Sequence, residues 1–527
     1  LVQPTQARAT EGDALVVGAG HNGLVAATLL ARAGLRVVVL EGREMVGGAA
    51  RTERPFARAP GLGHSTGAYL LGLMPPELMA ELGLSLPLLR RDPHYFLPTR
   101  GDEYLLLGSD EASAREQLER LFGGADLRAH DALQRELSML REDLAGCWLQ
   151  PARSLEETAE RHVRRELRET FVALCRGSVG EYLQRFGFRS ELLMAMYAVT
   201  DGFSGVSGGW DTPGTGHNFL VHNMCRLPGA GGTWMVVQGG MGTVTERLAG
   251  LAREAGVEIA LDAPVQSLRV EQGQVRGAMT RDGREFRARC VLVGADPFAM
   301  LKMTPEGALD ADYVQRIEAM RRPGTTFKLN LCLDGLPRFR CLPEDRGQFR
   351  TTIHVLPEGD SMIEALRRAH TAVTREELAE QPTIEWYTHT VVDPSLQDAE
   401  GHHSAALFVQ WVPPQPAGSD WERQREPYAR HLLSLCERLA PDLGAHVVDM
   451  LPLAPPDIEA RFGMSGGHIH HVDNTLCFDA RVPHRTPVAG LYCAGAGCHP
   501  AGSVIGAAGH NAARQVLADM GVRPWES

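Results

Sequence analysis

An α/β protein, with a dinucleotide-binding domain assembled from separated stretches of chain and an α+β substrate domain inserted into it, is predicted by three features of the sequence. The first is the apolar run ALVV at 14–17, which ends in the glycine turn Gly18-Ala19-Gly20-His21-Asn22-Gly23 and continues into the apolar segment LVAATLLARAG. The second is LRVVVLE at 35–41, the continuous apolar run that a parallel strand buried on both faces requires, closed by Glu41. The third lies at 490–513, where GLYCAGAGCHPAGSVIGAAGHNAA repeats the order of strand, glycine turn and helix.

Between these ends the elements follow from periodicity. REQLERLF, HDALQRELSMLREDL and SLEETAERHVRRELRETFVAL carry helical spacing. After Gly239, TVTERLAGLAREAG reads as an amphipathic helix and VEIALDAPV as a strand; short strands then turn at Gln272-Gly273 and Asp282-Gly283. TTFKLNLCLDG, TIEWYTHTV and SAALFVQWV alternate as strands of a second, half-buried sheet. The cofactor domain is therefore expected from residues 11–95, 236–305 and 485–527, and the substrate domain from 96–235 and 306–484.

A chain of 527 residues is too long for one core and has room to bury a large cofactor. Its formal charge of −12 argues against nucleic acid as a partner. Ten dispersed cysteines without a CxxC pair, and an opening LVQPTQARATEGD with no apolar signal core, predict a reducing, cytoplasmic setting. Oligomeric state leaves no trace in the sequence.

The glycine turn carries the first chemistry. Gly18, Gly20 and Gly23 let backbone approach a pyrophosphate at a helix N-terminus, and Glu41, 18 residues beyond Gly23, is placed to accept hydrogen bonds from a ribose diol. A second glycine pair, Gly47-Gly48, flanked by Arg43 and Arg51, exceeds what a nicotinamide domain needs and fits FAD, whose phosphates the two arginines can offset. At the far end Gly495, Gly497, Gly502, Gly506 and Gly509 lead into a helix whose N-terminus can stabilise negative charge on a reduced flavin.

Taken together, VVGAGHNGLVAATLLARAG…VVVLEGREMVGGAARTE, GGMGTVTERLA…GVEI…PV…VLVGADP and the C-terminal glycine segment resemble the phytoene desaturase and carotenoid isomerase family of flavoproteins, in the branch named for a pyridine nucleotide-disulphide oxidoreductase domain. The resemblance implies a Rossmann-type FAD domain in a monoamine-oxidase-like architecture. It also implies a backbone contact to adenine at Val265 and contacts to the flavin ring from Gly502, Ser503, Val504 and Gly506. At 63–69 the chain reads GHSTGAY where carotenoid desaturases carry Asp-x-Gly-Pro, a departure on the substrate side.

Catalytic candidates are His499, close in sequence to the last glycine turn, and Tyr69. Trp210 and Trp234 are candidates for a pocket wall. In GHIHH only His468 and His470 share a face of a strand, so no metal is expected. Met79, Leu82, Leu193 and Met194 suggest an apolar entrance that could touch a membrane. The expected activity is FAD-dependent desaturation or redox-neutral isomerisation at a C–H bond of an apolar substrate, with oxygen or a quinone as acceptor for the former. The alternatives are amine oxidation and a flavin-binding assembly role.

Overall fold

The structure, a computed structural model, describes residues 10–525. Its first sheet is wholly parallel. Its strands run Glu258–Ala260, Val37–Leu40, Ala14–Val17, Cys290–Val293 and Leu491–Cys493 across the sheet, so three distant stretches of chain build it. Both faces are covered, which is why these strands read as unbroken apolar runs. Val16, Val37, Val39 and Leu292 point to one face, where helices His21–Arg32, Gly242–Glu254 and Ala507–Met520 pack. Leu15, Val38, Val291 and Val293 point to the other, against the antiparallel strands Val265–Glu271, Gln274–Thr280 and Glu285–Arg287. Residues Gln272 and Gly273 take the positive φ values (52° and 75°) of the expected tight turn.

The second sheet has seven strands in the order Val447–Leu453, Thr326–Leu333, His403–Gln410, Thr383–Thr388, Thr352–Val355, Tyr95–Pro98 and Tyr104–Leu107. Phe327, Leu329, Ile384, Trp386, Leu407 and Val409 form a core with Tyr428 and Leu432 of helix Trp421–Glu437. The opposite face carries Lys328, Asn330, Glu385, Tyr387 and Phe408, by the two-residue alternation of a strand.

Packing continues across two of the expected domain cuts. Helix Ala311–Ala319, beyond the cut after 305, lays Tyr313 and Ile317 against Val291 and Leu491 of the first sheet; Val472 and Val482, before the cut at 485, do the same. An amphipathic helix carries no sequence mark of which sheet it covers. The apolar residues offered for a membrane entrance, Met79, Leu82, Leu193 and Met194, are all buried in the protein's own cores. Among the described residues no helix is long and apolar enough to cross a membrane. Most of the opening segment read as lacking a signal core lies outside the described residues.

Gly23 shows why the first turn is glycine. A methyl group there would lie 2.1 Å from the Gly18 carbonyl oxygen, because the helix sits directly on the strand end. Gly23→Ala is expected to cost about 3 kcal/mol through overpacking, read as a lower thermal midpoint of the cofactor-free protein. An unchanged midpoint would contradict the close packing.

Candidate functional site

One cavity of about 580 Å³ runs from the edge of the first sheet to the polar face of the second. Its first arm is lined by Gly18, Gly20, Glu41, Arg43, Gly47, Gly48, Arg51 and Val265, with Gly294 and Ala295. The two glycine loops are bonded to each other: Gly47 donates its N–H to the Ala19 carbonyl at 2.9 Å, and Gly20 and Gly47 form an isolated β-bridge. Gly47 takes a φ of 126°, which a side chain rarely adopts. Glu41 is buried, and its carboxylate accepts from the backbone N–H of Ala19 at 2.7 Å and of Arg43 at 3.1 Å. Burial raises its pKa above the ordinary carboxylate value, with the two backbone donors opposing that shift.

Helix His21–Arg32 starts at this arm with no side-chain cap and no acid in its first turn, so its N-terminal N–H groups remain available to an anion. The C-terminal segment meets it here. Ser503 and Val504 line the cavity, and Asn22 Oδ1 accepts from the N–H of Gly509 at 3.4 Å. Nε2 of His21 and Nδ1 of His471 are buried in the cavity wall without hydrogen-bond partners. Arg51 lies against Glu53 at 3.3 Å and over the Phe462 ring at 5.0 Å, and Glu53 also holds Arg461 at 2.9 Å. Glycine-lined backbone, an acid for a diol, clustered arginines and unpartnered buried imidazole nitrogens together fit a flavin dinucleotide.

The remaining predicted glycines act behind the wall. A methyl at Gly495 would meet the Ala295 carbonyl oxygen at 2.4 Å, and one at Gly502 the Cα of His470 at 2.5 Å; Gly506 caps the last helix in the left-handed region. They let the backbone pack closely and do not line the cavity.

The second arm was almost invisible in the sequence. Register places Lys328, Phe408 and Glu385 side by side on three adjacent strands, with Asn330, Ala406 and Tyr387 as the next row. Lys328 Nζ lies 4.2 Å from the centroid of the Tyr69 ring and 4.6 Å from that of Phe408, a desolvated cation–π contact worth about 2 kcal/mol. Burial pulls Lys328 down to about 7, with Glu385 opposing. Burial likewise lifts Glu385 to about 7, against the hydrogen bond it accepts from the Tyr387 hydroxyl and the charges of Lys328 and Arg91. Thr200, Ser204, His222, Trp234, Thr352, Ile469 and His470 complete the chamber. Its walls are thus amphiphilic, not the uniformly apolar surface expected for a hydrocarbon.

The two catalytic candidates separate. Tyr69 lines the chamber, but its hydroxyl donates to Asn330 Oδ1 at 3.0 Å and burial raises its pKa far beyond neutrality. Its ring is the platform over which Lys328 lies. His499 does not line the cavity: it is buried against Phe478, with Nε2 3.4 Å from the Cys147 carbonyl oxygen. Adjacency to the glycine turn in sequence did not specify the direction of its side chain. Trp234 is in the wall and Trp210 in the core. His468 pairs with Asp473 at 3.4 Å, while His470 bonds the Ser204 carbonyl, so the histidine cluster does not converge on one point. The sequence signals that were missed are the single charges inside the apolar strands TTFKLNLCL and TIEWYT.

A family model described as flavin containing amine oxidoreductase matches residues 23–348. The mouse pyridine nucleotide-disulfide oxidoreductase domain-containing protein 2 is 34% identical, over 97% of this chain and 94% of its own length. Hydroxyneurosporene desaturase of Cereibacter sphaeroides is 26% identical, over 97% of this chain and 98% of its own. Among solved structures, putrescine oxidase with putrescine bound superimposes with a TM-score of 0.53 at 17% identity, over 98% of this chain and 100% of that one. These similarities bear out the resemblance drawn from the glycine motifs, and the fold is the amine-oxidase-like FAD-binding fold expected from it.

Proposed function

The chain belongs to the flavin-containing amine oxidoreductase family and is an FAD-dependent oxidoreductase, and from that premise we propose that it dehydrogenates a C–H bond of a largely apolar substrate held in the Lys328–Glu385 chamber. The observation that carries this reading is the continuity of that chamber with the glycine-lined arm in a single cavity. Bound along the arm, FAD supplies a two-electron acceptor. Gly18, Gly20, Glu41, Arg43, Gly47, Gly48, Arg51 and Val265 are the residues that would hold it.

The protein's own work is then to orient the substrate, exclude water and take a proton. Phe408, Ile469, Trp234 and Leu70 give the apolar walls. Desaturation removes two electrons and a proton at one carbon and a second proton at its neighbour. Nζ of Lys328 and the carboxylate of Glu385, both brought near neutrality, are groups able to receive that second proton. The relative named as a desaturase favours this over isomerisation; the electrons then leave to oxygen or a quinone. In redox-neutral isomerisation they would return to the product.

Amine oxidation is the less favoured alternative, although putrescine oxidase shares the fold. The faces of Tyr69 and Phe408, where a substrate ammonium would settle, are already covered by the Lys328 side chain.

Anaerobic mixing with a panel of alkenes, isoprenoid acids and amines tests the reading. Loss of oxidised-flavin absorbance with the apolar compounds is expected; reduction by amines alone would contradict it. The rate of that reduction is expected to depend on pH with a defined sign. A protonated Lys328 or Glu385 cannot accept a proton, so the rate falls as pH drops through about 7 and levels off above it. The apparent value belongs to the pair. A rate independent of pH between 6 and 8, in the neutral range set by those two groups, would remove them as the proton acceptor.

A further inference from the structure

We infer that Arg91 forms an anion subsite in the chamber, so that the substrate is an amphiphile whose apolar body ends in a carboxylate. The assignment rests on the reading of the chamber as the substrate site given above.

Arg91 lines the cavity and is only 5% exposed. It donates Nε to the Trp234 carbonyl at 3.0 Å and Nη1 to Thr352 Oγ1 at 2.8 Å, both neutral acceptors. Five N–H groups belong to a guanidinium, so three remain after these two bonds. No carboxylate lies within ion-pair distance of it among the described residues. The other arginines show what a satisfied buried cation looks like here. Arg51 and Arg461 share Glu53. Arg481, buried and away from the cavity, spends its donors on the carbonyls of Val472, Asp473, Leu476, Ala496 and Cys498. Arg91 has no such cage, and the acid that acts on it, Glu385, makes no ion pair with it.

Charge summation leaves the same remainder. With one proton between them Lys328 and Glu385 together contribute zero, and only where both are deprotonated does the Glu385 carboxylate balance Arg91. The chamber histidines His222 and His470 are held neutral by burial. Asp201, behind the wall, is engaged by Asn223 at 2.8 Å. What remains is the single positive charge of Arg91, desolvated at the edge of an apolar space. An unpaired charge in such a place is costly, and a carboxylate with a hydrocarbon tail offsets it while filling the walls made by Phe408, Trp234 and Ile469. A charge-assisted bond of this kind would also fix which carbon of the chain faces the redox centre.

The test is calorimetric titration of the FAD-loaded protein with decanoate, decanol and decylamine, with the flavin spectrum followed in parallel. Decanoate is expected to bind at least tenfold more tightly than either neutral or cationic analogue. Arg91→Gln is expected to abolish that preference, with Arg91→Lys keeping part of it. Equal affinity for decanol and decanoate, or an undiminished preference in Arg91→Gln, would overturn the assignment; the first of these needs no variant and so does not depend on how the variants fold. Failure of the broader reading looks different: protein that takes up no FAD, or FAD that no panel compound reduces, with the decanoate preference still present in the heat signal.

Discussion

Glu41→Arg is expected to weaken FAD binding by about a thousandfold, measured by titrating the cofactor-free protein with FAD and following quenching of its fluorescence. Two charge-assisted hydrogen bonds to a ribose diol contribute roughly 2 kcal/mol each, and a factor of ten corresponds to 1.4 kcal/mol at about room temperature. The substitution removes both acceptors at the end of strand Val37–Leu40. It also frees the N–H groups of Ala19 and Arg43, which Glu41 holds at 2.7 and 3.1 Å, and so loosens the glycine turn from which the pyrophosphate is to be gripped. Glu41→Gln, which keeps one acceptor and no charge, is expected to fall between the two. Undiminished occupancy in Glu41→Arg would mean that the adenosine half of the cofactor lies elsewhere.

Lys328→Met is expected to slow substrate-driven flavin reduction by about 10²–10⁴-fold, the usual yield of a positioned acid or base, while FAD content stays at the wild-type level. Methionine preserves the flexible apolar stem that crosses Tyr69 and Phe408, so packing survives and the nitrogen alone is lost. Glu385→Gln is the companion. Its carboxylate sits two registers across the sheet from Lys328, with Phe408 between, and accepts from Tyr387. If the two groups share one titrating proton, either variant also flattens the rise of rate with pH. A role confined to stability would lower the thermal midpoint and leave both the rate and its pH profile intact.

The cofactor arm was legible because its chemistry demands a local pattern. Close backbone approach leaves glycine at fixed spacing, and a strand buried on both faces leaves an unbroken apolar run. Thus the glycine turns and Glu41, which line the first arm of the cavity, stand out in the sequence, and the strands Ala14–Val17 and Val37–Leu40 lie where those patterns put them. The chamber was not legible, because it is made by register. Lys328 and Glu385 stand more than fifty positions apart in sequence and meet only because each pairs with the strand that carries Phe408. Arg91 comes from the approach to a strand at the far side of the same sheet. His499 fails for the converse reason: proximity to a glycine turn fixes where a backbone runs, not where an imidazole points. The mid-strand charge in TTFKLNLCL was the one available hint, since a lysine inside a fully buried strand needs a reason to be there.

The most direct test of the whole account is a crystal structure of the FAD-loaded protein. The account predicts the adenosine ribose at Glu41 and the pyrophosphate against Gly18, Gly20 and the N-terminus of helix His21–Arg32. It predicts the ring system reaching Ser503 and Val504, with one face open to the chamber of Lys328, Tyr69 and Glu385. A cofactor whose ring stops short of that chamber, or is sealed from it by protein, would contradict it.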